Sequence, residues 1–219
     1  RKSEIGYQME KKAAELKRDM EFAIAGANTA SLAGNTTTAR LLGSLSSWLT
    51  SNVSRGASGA NGGFSVGTGL TVAATDGTQR AFTETLLKDV MQSAYTNGGK
   101  PKLAVMGPAQ KRVFSGFAGI AVNRVDNAPA KGSEAQIAIL GAADVYKSDF
   151  GNLMAVPDIF SRARDVYLLD PTMLGVSYLR PFVRDVPAKT GDAEKRVLLV
   201  EYTLLVKNEA ASGVVADLS

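Results

Sequence analysis

Residues 4–25 constrain the fold more than any other stretch of this chain. Ile5, Met9, Ala13, Leu16, Met20 and Ala23 recur at spacings of four and three, which places them on one face of a helix. Lys11, Lys12, Lys17 and Arg18 share the remaining surface with Glu10, Glu15, Asp19 and Glu21. Gly26 and Asn28 supply a stop. About 21 residues at ~1.5 Å each give a rod of ~30 Å. Helices draw most of their stability from packing an apolar face. A rod this long with a single apolar stripe needs a sheet or another subunit to lie on.

The next stretch changes character. Of the 38 residues at 43–80, 22 are Gly, Ser, Thr or Asn, and only Arg55, Asp76 and Arg80 are charged. Such a composition gains little from apolar burial and keeps much backbone entropy. The expectation is a flexible surface loop, with a loop that orders against a neighbour as the alternative. Trp48, between Leu45 and Leu49, is the sole tryptophan and reads as a local anchor.

Periodicity returns at 80–97. Phe82, Leu86, Val90 and Ala94 fall four apart, Leu87 and Met91 widen the stripe, and Gly98-Gly99 ends it. Residues 102–106 read as a short strand. Pro108 suits the first turn of a third helix running to about residue 117. Residues 118–136, with Gly119, Pro129 and Gly132, read as loop. From 137 onward the pattern is mostly strand. Segments 144–149 and 153–156 flank a turn at 150–152, and segments 166–169 and 174–179 flank Asp170-Pro171. Residues 195–207 are the longest strand candidate, and 214–218 follow a turn at 211–213. The fold class is α+β. The first helix and the last strands are far apart in sequence but suited to pack together. The expected division is therefore one domain from 1–79 and 181–219, with 80–180 as an insertion of its own.

The 219 residues include no histidine and no cysteine. That removes disulfides, thiol nucleophiles, zinc sites of the Cys/His type and any Ser–His triad. Gly63-Phe64-Ser65-Val66-Gly67 matches a nucleophile elbow, but the elbow needs a strand before it, a helix after it and a base within reach. Lys189-Thr190-Gly191 matches a motif of penicillin-recognising enzymes, yet no Ser-x-x-Lys accompanies it. Asp144, Asp149, Asp158, Asp165 and Asp170 are spread over turns and read as turn aspartates. A carboxylate or Ser65 hydrolase remains the rival from another class, and a cell-surface or decoration module a third. No cofactor is expected, and no run of about 20 apolar residues spans a membrane. With 25 Lys plus Arg against 21 Asp plus Glu, the net charge of +4 is mild and dispersed. It is poor ground for specific nucleic-acid binding.

Five segments together resemble the major head (capsid) proteins of tailed bacteriophages and prophages. They are residues 10–24 (EKKAAELKRDMEFAI), 98–117 (GGKPKLAVMGPAQKRVFSGF), 145–158 (VYKSDFGNLMAVPD), 166–182 (VYLLDPTMLGVSYLRPF) and 188–218 (AKTGDAEKRVLLVEYTLLVKNEAASGVVADL). The resemblance implies the Hong Kong 97-like fold and a structural role as a self-assembling shell subunit in the virion. Residues 4–25 would be the spine helix and 195–218 long strands of a peripheral domain, with 80–180 the axial domain. Arg162 and Arg164 would lie near the capsomer axis. Arg184, Asp185, Lys189, Asp192, Glu194 and Lys195 would form a loop where capsomers meet. Partners would be further copies in pentamers and hexamers, and packaged DNA touched without sequence reading. The family's N-terminal arm and extended loop precede the spine helix and are not in this stretch, so the chain as given is expected to be monomeric in dilute solution. An encapsulin-like nanocompartment shell is the alternative within the same fold.

Overall fold

The computed structural model describes residues 3–117 and 145–219. The expected loop at 118–136, the chain at 137–143 and Asp144 lie outside these residues. Helix α1 spans Glu4–Glu21, and the Ser3 side chain caps it by accepting the Gly6 N–H at 3.3 Å. It runs into one π-helical turn at Phe22–Gly26. The apolar stripe forms as read, yet Met20 is its only buried member.

Among the described residues three further α-helices follow: α2 (Leu45–Trp48), α3 (Glu84–Thr96) and α4 (Pro108–Ser115). Thr83 caps α3 by accepting the Leu86 N–H. Gly98, at φ +80°, takes the left-handed turn that ends it. Gly99 then passes so close to the C-terminal segment that a Cβ would sit 2.5 Å from the Ala211 Cα. Pro108 occupies the first turn of α4, as its fixed φ favours.

The strands are β1 (Val53–Ser54), β2 (Gly63–Ser65), β3 (Leu70–Val72), β4 (Leu103–Met106), β5 (Val145–Ser148), β6 (Gly151–Pro157), β7 (Val166–Leu169), β8 (Leu174–Asp185), β9 (Val197–Val206) and β10 (Gly213–Val215). Among the described residues, six of them form one mixed sheet in the order β1-β10-β7-β4-β6-β5. β4 pairs with β6 in parallel and with β7 antiparallel, while β10 lies between β1 and β7. The sheet thus draws β1 and β10 from outside the span 80–180. Residues 213–215 join it rather than the long strands that precede them.

Both faces of this sheet are covered, and the period of two sorts the side chains. Val166, Leu168 and Val215 pack with Leu87, Met91 and Phe114 of α3 and α4. Tyr167 and Val214 point the other way, to Leu45, Leu49 and Leu204.

Residues 43–80 are not the flexible loop that their composition suggests. Ser44, Ser46, Ser47, Asn52 and Thr71 are all buried. The Ser46 hydroxyl donates to Asn28 at 3.1 Å, and Ser47 donates to Thr71 at 3.0 Å. Asn52 donates to the Ala210 and Ser212 carbonyls and accepts from Ser93 and Asn97. Small polar side chains here do the bonding that a regular ladder would do elsewhere. Trp48 stacks on Phe64 with centroids 5.1 Å apart and planes 10° from parallel, so it is an anchor within the chain.

β8 and β9 form a separate two-stranded ribbon, in register from Leu174↔Val206 to Asp185↔Val197. The sequence pattern ends the first of these strands at Leu179, but it continues through Pro181. One register shift precedes that residue, between Tyr178 and Arg180, and a second spans it, between Arg180 and Val183. A proline has no N–H to give the ladder, and bulges in an exposed ribbon absorb it.

Candidate functional site

The motifs that suggest catalysis have structural uses. Ser65 ends β2, and the chain turns at 66–69 straight into β3. A hairpin replaces the strand-to-helix elbow, and its Phe64 serves Trp48. Lys189-Thr190-Gly191 lies in the loop that joins β8 to β9. Asp158 accepts the Phe160 N–H at 2.8 Å, and Asp170 accepts both the N–H and the hydroxyl of Thr172. These are turn aspartates. Among the described residues no group of three or more carboxylates is placed to hold a metal ion. No described helix is long and apolar enough to cross a membrane.

Arg162 and Arg164 are inside an intrachain network rather than on an open surface. The Arg162 guanidinium, 13% exposed, pairs with Asp76 at 2.6 Å and with Asp165 at 2.9 Å. Arg164 donates to Asp217 at 3.0 Å and to the Gly77 carbonyl at 2.6 Å. Asp217 is fully buried and also accepts the N–H groups of Gly56 and Gly77. The Arg162 hydrogen bond holds the Asp76 carboxyl below the usual range. Burial pushes the Asp165 carboxyl up, with Arg162 opposing it. Arg164 thus ties Gly77 to the C-terminal segment, and Arg162 ties Asp76 to Asp165. Asp76, Asp165 and Asp217 were missed as their partners. The one local signal is the dense Arg-Ala-Arg-Asp run beside the apolar β7.

The other six candidates stay together. Arg184 and Asp185 end β8, and Lys189, Asp192, Glu194 and Lys195 follow in the loop to β9. All six are exposed. Glu194 pairs with Arg196. The loop therefore presents charges of both signs at one end of the ribbon.

The more telling surface is apolar. In the whole ribbon only Leu204 is buried. Val176, Tyr178, Leu179, Phe182, Val183 and Leu205 are all exposed, Leu179 to 77%. Helix α1 meets the ribbon where the Lys17 ammonium sits 6.0 Å from the Phe182 ring centre, but most of its stripe stays half-exposed. At the ribbon's root lies an apolar groove of about 280 Å³, lined by Ile24, Leu45, Leu169, Pro171, Leu174 and Leu204 among others. Exposed apolar patches rimmed by charge mark contact surfaces. Sequence reasoning missed these residues, although the run Val197-Leu198-Leu199-Val200 carries the signal. A strand apolar on both faces is made to be covered on both.

Fold and surface together define a structural protein whose uncovered faces are suited to other chains. The comparison with known families agrees. The chain matches the SU10 major capsid protein family over residues 1–219 and belongs to that family. It is a phage major capsid protein, a structural subunit that self-assembles into the virion shell, and not an enzyme. No curated protein matches the chain. The nanocompartment and hydrolase readings gain no support from the family match.

Proposed function

We propose that this subunit has the Hong Kong 97-like fold and builds an icosahedral head around phage DNA, with pentamers and hexamers as its capsomers. In this reading α1 and the ribbon are the peripheral domain. The six-stranded sheet with α3 and α4 is the axial domain. Residues 43–80 and 213–218 supply β1 and β10 to that sheet, so this reading groups them with the axial domain rather than with the periphery. The loop at 184–195 lies where capsomers meet, where charge of both signs favours register and partner choice over raw affinity. Shell contacts around each axis are heterologous and must close with the right curvature. DNA contact at the inner surface is non-specific.

The observation that carries this reading is the ribbon. Fully covering one Leu or Phe contributes about 1.5–3 kcal/mol, and the ribbon leaves that gain unrealised at most of its apolar positions. The test is the subunit carrying Leu179→Glu with Phe182→Glu. Thermal melting should match the unaltered protein, and electron microscopy should show closed shells only from the unaltered one. Normal shells from the variant would contradict the proposal. Lys189→Glu with Lys195→Glu should lower shell yield with melting unchanged. Normal yield would remove that loop from the interface.

A further inference from the structure

α1 touches the ribbon along part of its length, where Lys17 lies near Phe182, and of its residues only Met20 is fully buried. Its exit, by contrast, is bonded directly to the sheet body. At that exit the Ala25 carbonyl accepts the Arg162 N–H at 3.3 Å. Gly26 lies against the Phe160 carbonyl so closely that a Cβ would be 2.2 Å from its oxygen. Asn28 donates to the Ala74 carbonyl at 2.7 Å and accepts the Ala74 N–H at 3.2 Å. The helix exit is therefore seated between residues 160–162 and residue 74.

Both walls of that seat are joined by one side chain. The Arg162 guanidinium pairs with Asp76, two residues beyond Ala74, and with the buried Asp165. Its own N–H holds the helix exit. Behind it, the Arg164 carbonyl accepts the Leu218 N–H at 2.9 Å, and the Ala163 carbonyl accepts from Gln110 of α4 at 3.1 Å. The loop is thus fixed to the sheet body, and Arg162 connects the exit of α1 to it.

We propose that Arg162 is a positioning residue: its two ion pairs set the direction in which α1 leaves the sheet body. The angle at which α1 presents its apolar stripe to neighbouring subunits follows from that direction. This second half rests on the shell reading above; the first half does not.

The chain contains no cysteine, so two introduced cysteines take spin labels cleanly. Ala14→Cys on α1 and Gln92→Cys on α3 are both at exposed positions. Electron–electron distance measurements on the free subunit should give one narrow distribution. Arg162→Met should broaden or shift it. That variant leaves the buried Asp165 without its cation, so Asp76→Asn is the second test. It removes one of the two Arg162 pairs together with the longer Arg164–Asp76 pair at 3.6 Å, keeps Arg162–Asp165, and should broaden the distribution to a smaller degree. A control pair within the body, Gln92→Cys with Arg112→Cys, should keep its width throughout. An α1-to-body distribution as narrow in Asp76→Asn as in the parent would overturn the proposal. So would equal broadening of the control pair, which would mean general loosening. Broadened α1 distances with shells of unchanged size distribution would overturn the second half alone.

Discussion

β7 and β8 are both rich in apolar residues, yet Val166, Tyr167 and Leu168 are fully buried while no residue of β8 is. The difference separates two parts of one chain. The six-stranded sheet has helices on one face and the 43–80 segment on the other, so its core closes within the subunit. The ribbon and α1 carry their apolar residues to the surface. A chain that completes one core and leaves a second surface open is folded as a subunit and unfinished as an assembly. Stability and assembly therefore depend on different residues.

The largest stability effect belongs to the closed part. Asp217→Ala removes a buried carboxylate that holds two backbone N–H groups and Arg164. It also places alanine at φ +60°. Breaking such a pair costs about 3–5 kcal/mol, read as a shift in the denaturant midpoint. A loss of under about 1 kcal/mol would show that the C-terminal segment is not locked into the body.

Asn52→Ala comes next. It strands two carbonyls and two donors at the junction of α3 with the C-terminal turn, at a cost of about 1–3 kcal/mol. An unchanged midpoint would mean that the 43–80 segment contributes nothing to the core.

Tyr146→Phe is smaller and depends on pH. The Tyr146 hydroxyl donates to Glu84 at 2.7 Å, a bond of about 0.5–1.5 kcal/mol. Burial and the neighbouring Glu84 carboxylate push the phenol up from 10.0 to about 12. The folded state then keeps a proton that the unfolded chain releases. The added stability is complete below pH 10 and is lost as pH rises toward 12. The melting difference between the parent and Tyr146→Phe should shrink across that window. A constant difference would show that Tyr146 is not the titrating group.

The smallest stability effect is expected in the open part. Leu179→Ala should change stability by no more than about 0.5 kcal/mol, yet reduce shell yield. A large stability loss with normal shells would reverse the comparison.

Much of the closed part is legible in the sequence. The stripe of α3 and the short apolar runs of β4, β6 and β7 follow local period, Gly98 marks the end of α3 and Pro108 the start of α4. What escapes local reading is bonded over long separations. The serines at 44–47 look solvated until Asn28 and Thr71 are brought to them. Asn52 finds its partners near Ser93 and Ala210 only in the folded chain. β10 is three residues long, and nothing local says that it enters the large sheet. Among the candidate residues, those of the charged loop at 184–195 are exposed. Arg162 and Arg164 are not, because their carboxylate partners come from residues 76, 165 and 217. Charge type is readable from sequence, but whether a charge is already paired is not.

The most direct test is amide hydrogen exchange on the free subunit and on assembled shells. α1 and residues 174–206 should exchange readily in the free subunit and become strongly protected in the shell. Amides of β4, β7 and α3 should be protected in both states. Protection gained mainly in α3 and β4, with the ribbon unchanged, would contradict this division of the chain.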